Sequence, residues 1–128
     1  MKLLLDTHML LWMSENSPRL SAKARQLLED PANEIIFSVV SIWEIAIKQG
    51  REKEDFSADP VLFRQELRQH GFTELEIAGR HVQIVGSLPL IHKDPFDRLL
   101  VAQSIVEGIT LLTADATIAK YPAPILRV

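Results

Sequence analysis

The chain contains no cysteine, which excludes a disulfide framework, a thiolate nucleophile and any zinc centre built on sulfur. A metal would have to be held by oxygen or by histidine. No stretch approaches the ~20 consecutive apolar residues of a membrane-spanning helix, so no membrane association is expected. Positive charge is scarce as well. The formal net charge is −3, which argues against gripping nucleic acid by bulk electrostatics and leaves only local basic grooves for that purpose. The opening Met-Lys-Leu-Leu-Leu imitates a signal peptide, but Asp6 and His8 interrupt the apolar run and no small-residue cleavage site follows. These residues are expected to remain in a mature, cytoplasmic protein. What is present suffices for one compact domain over 1–128: 47% of residues are hydrophobic, 24% are charged, and no internal repeat, low-complexity tract or linker interrupts them.

The stretch His92-Lys-Asp-Pro-Phe-Asp-Arg-Leu-Leu-Val-Ala-Gln103 carries the densest signal. Asp94 suits a helix N-cap, and Pro95 suits the first helical position, where the missing N–H costs nothing. Asp97 then falls in the electropositive first turn, from which its side chain would reach back to the cap as in a capping box. Leu99, Leu100, Ala102, Ile105 and Val106 form a broad apolar stripe, and Gly108 closes the helix. A short apolar strand ending at Thr113 follows, with Asp115 just past its end.

The rest of the chain alternates in the same way. Lys2 to Leu5 is an apolar run without alternation, as in a strand buried on both faces of a parallel sheet. It ends at Asp6, and Asp6-Thr7 caps a helical stretch that Ser14-Glu-Asn-Ser-Pro18 breaks. Ser21 opens a helix over 22–29. Residues 34–40 read as the second strand, and Ser41 begins a helix over 42–49 that ends at Gly50 and carries Glu44 in its first turn. Residues 51–60 are charged and read as a solvated loop into a helix over 61–69. A strand over 72–77, short helices over 78–85 and 116–120, and a last strand over 125–128 complete the pattern. Strands alternating with helices indicate an α/β domain with a central, mostly parallel sheet flanked by helices.

In such a sheet the carboxyl ends of the strands and the amino ends of the following helices share one edge, where ligands bind. Asp6, Glu44, Asp97 and Asp115 all fall on that edge. Each alone has a structural explanation: Asp6 and Asp115 as N-caps, Asp97 as a complement to the helix dipole, Glu44 with Lys48 as an i,i+4 ion pair on an exposed face. Together they would repel one another and push up their own pKa values unless a cation neutralised them. A hard divalent ion, magnesium or manganese, is the natural partner for oxygen ligands. Such a site supports displacement at phosphorus, because water bound to the ion is a better nucleophile and the ion offsets charge on attacking and leaving oxygens. Thr7, Ser41 and Thr113 are placed to orient the carboxylates or waters from behind; they also read as ordinary caps and turn hydroxyls.

At these residues the chain resembles a PIN domain, specifically the VapC-type ribonuclease toxins of bacterial toxin–antitoxin pairs. The resemblance runs nearly end to end. It rests on Leu-Leu-Leu-Asp6-Thr-His, Ser41-Ile-Trp-Glu44-Ile-Ala-Ile-Lys48, the stretch from His92 to Gln103, and Leu-Leu-Thr113-Ala-Asp115. It implies that Asp6, Glu44, Asp97 and Asp115 form an acidic quartet binding magnesium or manganese for RNA phosphodiester hydrolysis. It also implies a cognate antitoxin whose C-terminal segment covers the acidic pocket, and a homodimer. His92, Asp94 and Arg98 belong to the signature of this subgroup. Asp94 is expected mainly as a helix cap with a supporting role behind the acids, and Arg98 as a phosphate contact or a partner in a surface ion pair.

RNA would have to approach a site that is negative before metal binds. Lys48, Arg51, Lys53, Arg64, Arg68, Arg80 and His81 are candidate contacts, and a solvated face explains most of them equally well. Trp12 and Trp43 sit among apolar residues and read as core or dimer contacts. Two rival functions remain open. A phosphatase of the HAD type also places an aspartate after its first strand, but it needs a second one two residues on, where this chain has His8. A non-catalytic PIN-fold module would act through an antitoxin in transcriptional regulation; the complete set of acids counts against it.

Overall fold

Three consecutive leucines, Leu3 to Leu5, are fully buried, with Leu3 and Leu5 in one apolar cluster and Leu4 in another. A strand covered on both faces belongs inside a sheet flanked by helices, and in the computed structural model β1 (Lys2–Leu5) is the central strand of five. The structure describes residues 1–49 and 56–128. β2 (Glu34–Ser38), β3 (Thr73–Leu75), β4 (Thr110–Thr113) and β5 (Ile125–Arg127) complete the sheet in the order β3-β2-β1-β4-β5. Every pairing is parallel. The expected α/β class and central sheet are therefore found.

Among the described residues, six α-helices cover the sheet: α1 (Thr7–Ser14), α2 (Ala22–Glu29), α3 (Val39–Lys48), α4 (Pro60–Gln69), α5 (Gly79–Val85) and α6 (Pro95–Glu107). Met9, Leu10 and Leu11 of α1, Ala24 of α2, and Phe63 and Leu67 of α4 pack with Leu3, Leu5 and Phe37 on one face. On the other face α6 inserts Phe96, Leu99, Leu100 and Ala102 against Leu4, Ile36 and Leu111. The helix starts follow the expected chemistry. Asp6 accepts from Met9 N–H at 2.8 Å, Ser21 from Ala24 N–H at 3.1 Å, and Asp94 from Phe96 N–H at 2.8 Å. A 3₁₀ turn (Ile118–Lys120) lies between β4 and β5. No helix among the described residues is long and apolar enough to cross a membrane.

Two regions differ from the sequence reading. α3 begins at Val39, because Ser38 Oγ accepts from Val40 N–H at 3.0 Å and caps the helix there. The β-branched pair Val39-Val40 had pointed to continued strand. Ser41 is thus inside the helix instead of capping it, and Glu44 sits in the second turn. Its buried side is Val40, Ser41, Glu44 and Ile45, whereas Trp43 and Ile47 are 44% and 46% exposed. The charged segment after α3 is not solvated throughout either: Phe56 is fully buried. Gly50, Arg51 and Lys53 lie outside the described residues.

Gly108 ends α6 with φ of +65° and ψ of 35°, in the left-handed region, and nothing lies within 4 Å of where a Cβ would stand. Its cost on substitution is therefore purely backbone strain. Gly108→Ala is expected to lower unfolding free energy by about 1 kcal/mol in urea titration, with an unchanged m-value.

Candidate metal centre

From β1 the chain moves outward through β2 and β3, then returns to β4 and β5, so the strand order reverses between β1 and β4. The crevice at the carboxyl ends of these two strands is where an open parallel sheet binds ligands. Asp6 and Asp115 follow those ends directly. The ladder itself reaches into the site, since Asp6 N–H donates to Leu112 O at 3.1 Å.

Asp6 is almost fully buried. Its Oδ1 caps α1, and its Oδ2 accepts from the Thr113 hydroxyl. Burial raises its pKa above the ordinary carboxylate range; the bonds from Thr113 and Met9 N–H and the nearby His8 oppose that shift, while Asp115 adds to it. Thr113 Oγ1 also accepts from Asp115 N–H at 3.0 Å, so one hydroxyl links both acids. Asp115 Oδ1 accepts from Thr117 N–H at 2.7 Å, which leaves Oδ2 toward His92, 3.8 Å from its Nε2.

Asp97 reports the convergence most directly. Its pKa is pushed up to about 8, first by burial and then by the charges of Asp94, Glu44, Asp6 and Asp115. Of these four carboxylates, Asp94 caps the helix that bears Asp97, and the other three come from three other parts of the chain. Its side chain does not reach back to the cap as expected. It turns instead to His92, whose Nε2 lies 3.3 Å from Oδ2. Glu44 reaches the cluster from the inner side of α3 and is 2% exposed. Its Oε2 accepts from Lys48 Nζ at 2.6 Å, while its Oε1 is buried with no hydrogen-bond partner. The Glu44–Lys48 pair thus has its carboxylate buried and its ammonium half-buried, and does not lie on an exposed face.

The supporting residues divide into those that meet the acids and those that do not. Thr113 holds Asp6, and Asp94 both caps α6 and accepts from Lys48 Nζ at 3.3 Å. Thr7 and Ser41 are buried and pair with each other, Thr7 Oγ1 donating to Ser41 Oγ at 2.9 Å, which ties α1 to α3. Arg98 is neither in a surface ion pair nor turned to the crevice. Its guanidinium donates to the carbonyls of Pro89 (2.9 Å) and Val85 (3.0 Å) and to Tyr121 Oη (3.2 Å), a clamp on the segment before α6. His81 is fully buried against Glu107 at 2.9 Å, Arg80 pairs with the same carboxylate, and Arg64 pairs with Glu74. His81 is thus held inside the fold, whereas Arg80 and Arg64 stand at the surface in their ion pairs. Trp43 stacks edge-on against Phe96 at 4.6 Å with its outer side exposed.

The sequence reading did not single out Tyr121, and it gave His92 no place in the site. His92, Asp97 and Asp115 each offer one ligand atom, and these atoms lie within 4.8 Å of one another. The residues present fit a hard divalent cation. The acidic donors are oxygens, the orphaned buried Glu44 Oε1 has a lone pair free, and Asp97, raised first by burial, is raised further by the neighbouring carboxylates that a cation would offset.

The chain matches the PIN domain family over residues 3–124 and belongs to it. It is 31% identical to Ribonuclease VapC22 of Mycobacterium tuberculosis over 128 residues, covering 95% of each chain. Among solved structures it is similar to VapBC2 from Rickettsia felis bound to a DNA fragment from their promoter (15% identity, TM-score 0.68) and to VapBC-5 from Mycobacterium tuberculosis (15%, 0.64); in both, 99% of this chain and 98% of the other are covered. VapBC-1 from nontypeable Haemophilus influenzae is similar at 14% identity and a TM-score of 0.64, with the same coverage.

Because the folded Asp97 pKa lies near 8 and the ordinary value is 3.8, the metal-free folded state holds an extra proton between those limits. The stability associated with that proton is complete below pH ~4 and is lost as pH rises toward 8. Asp97→Asn is expected to melt several degrees above the metal-free wild type at pH 8, with the difference closing toward pH 4. Differential scanning calorimetry over that range checks it.

Proposed function

We propose that this chain is a metal-dependent endoribonuclease acting as the toxin of a toxin–antitoxin pair. The observation that carries this reading is that Asp97 and Asp115 offer ligand atoms within 4.8 Å of each other at the β1/β4 switch point, with Asp6 tied to Asp115 through the Thr113 hydroxyl. Family membership and the 31% identity to a ribonuclease support it.

Asp6, Glu44, Asp97 and Asp115 would hold Mg2+ or Mn2+. When bound, the ion supplies an activated water and offsets negative charge on the phosphate. The chain's own part is positional. Thr113 fixes the Asp6 carboxylate, Asp94 sets the first turn of α6 under Asp97, and Lys48 holds Glu44 by one oxygen, leaving the other buried without a hydrogen-bond partner. Lys48, partly exposed, paired with Glu44 and Asp94 and flanked by Phe56 and Phe96, would be the basic side chain that meets a backbone phosphate. Arg98 is spent on holding its own loop, so its contribution to substrate is indirect.

The antitoxin reading draws support from the similar structures, which are of VapBC proteins, one of them described as a member of a family of toxin–antitoxin systems. An apolar groove of about 500 Å³ lined by Trp43, Ile77, Val82, Val85, Pro95 and Leu99 supports a protein partner at that face, for which we favour a second copy of the chain. Such a toxin would act in the cytoplasm.

The decisive test uses antitoxin-free protein, a total RNA pool, and Mg2+ or Mn2+. Wild type should cleave, chelator should abolish cleavage, and Asp6→Asn and Asp97→Asn should each slow it roughly 100-fold or more, equivalent to about 2.7 kcal/mol of transition-state stabilisation. Cleavage that persists in both folded variants would sink the acidic-site reading. A folded wild type that binds but does not cut would favour the non-catalytic module.

A further inference from the structure

The trio His92, Asp97 and Asp115 invites the reading that His92 is a third ligand. The hydrogen bonds around its ring argue otherwise. Nδ1 accepts from Asp94 N–H at 3.0 Å and must present a lone pair, so in the neutral ring the proton sits on Nε2. Ligation through Nε2 would move that proton to Nδ1 and set it head to head against the Asp94 N–H. Nε2 itself lies 3.3 Å from Asp97 Oδ2 and 3.8 Å from Asp115 Oδ2, between the two carboxylates.

The residue is also unusually well anchored. Its backbone N–H donates to Tyr121 Oη at 2.9 Å, and the same hydroxyl donates to the His92 carbonyl at 3.3 Å. Tyr121 is 3% exposed and receives a further bond from Arg98. Asp94 joins the two halves of the arrangement, because its N–H fixes the ring while its Oδ1 accepts from Asp97 N–H at 3.2 Å. Resting on the reading of Asp97 and Asp115 as ligands, we propose that His92 is a positioning residue whose fixed Nε2–H spaces these two carboxylates and sets them for the cation without binding it. Side chains that orient ligating carboxylates from behind typically govern metal affinity.

The test measures Mn2+ affinity by isothermal titration calorimetry in wild type, His92→Gln, His92→Asn and His92→Ala, and reads the histidine tautomer by ¹⁵N NMR with and without Mg2+. The glutamine amide nitrogen reaches the place of Nε2, whereas that of asparagine reaches only the place of Nδ1. His92→Gln is therefore expected to stay close to wild type. His92→Asn and His92→Ala should bind roughly tenfold more weakly, with melting temperatures like that of His92→Gln. The Nε2 proton should persist when Mg2+ binds. Tyr121→Phe, which keeps the packing and releases the loop, should also weaken Mn2+ binding. Unchanged affinity in the asparagine and alanine variants overturns the inference, and so does movement of the proton to Nδ1 on Mg2+ addition, which would make His92 a ligand. A wild type that binds no Mn2+ overturns the acid-site reading itself, and this inference with it.

Discussion

Negative charge brought together in a poorly solvated crevice is the constraint around which this molecule is arranged. In a medium less polarisable than water, carboxylates a few ångströms apart repel strongly, and each also loses hydration. The fold answers with local compensation. Asp6 takes a backbone N–H and a hydroxyl, Asp115 takes backbone N–H groups of the following turn, and Glu44 takes the Lys48 ammonium. Burial disfavours the charge on Lys48, yet Glu44 and Asp94 outweigh it and raise the lysine pKa, with the faces of Phe56 and Phe96 on either side. Asp97 lies beside several of these acids, and burial, with their charges added, pushes its pKa up to about 8.

The sheet makes that crowding possible. Parallel strands deliver every βα connection to one edge, and the reversal between β1 and β4 opens a gap there. Leu3, Leu4 and Leu5 lock β1 from both faces, so the position of Asp6 is determined by core packing more than by any contact of its own. α6 is fixed comparably by Leu99, Leu100 and Ala102 below and by the Arg98–Tyr121 clamp beside it.

Much of this was legible because it depends on local signals. A strand end followed by an acid, an Asp-Pro helix start and a closing glycine are short-range patterns, and Asp6, Asp97 and Asp115 fall where those patterns put them. Glu44 was harder. Trp43, Ile45 and Ile47 suggest an inward apolar face, but Glu44 and Ser41 face inward and Trp43 and Ile47 outward. Hydrophobic patterning misleads where the interior holds a polar site and the exterior has an apolar face. Long-range partners were beyond reach altogether. Nothing near Arg98 announces Tyr121, nothing near His81 announces Glu107, and the burial of Phe56 within a charged stretch follows only once His8 and Lys48 are in place.

Gln103 lies six residues along α6 from Asp97 and is fully buried. Its amide accepts from Ser38 Oγ at the start of α3 and donates to the carbonyl of Glu76 just beyond β3, at 3.1 Å. The helix bearing Asp97 and the helix bearing Glu44 are therefore riveted to each other through one amide in the protein interior. Sliding either would leave buried donors and acceptors unpaired. The distance between these two carboxylates is thus settled when the polypeptide folds, and most of the entropic penalty of assembling the cluster is incurred then, not at the encounter with an incoming molecule.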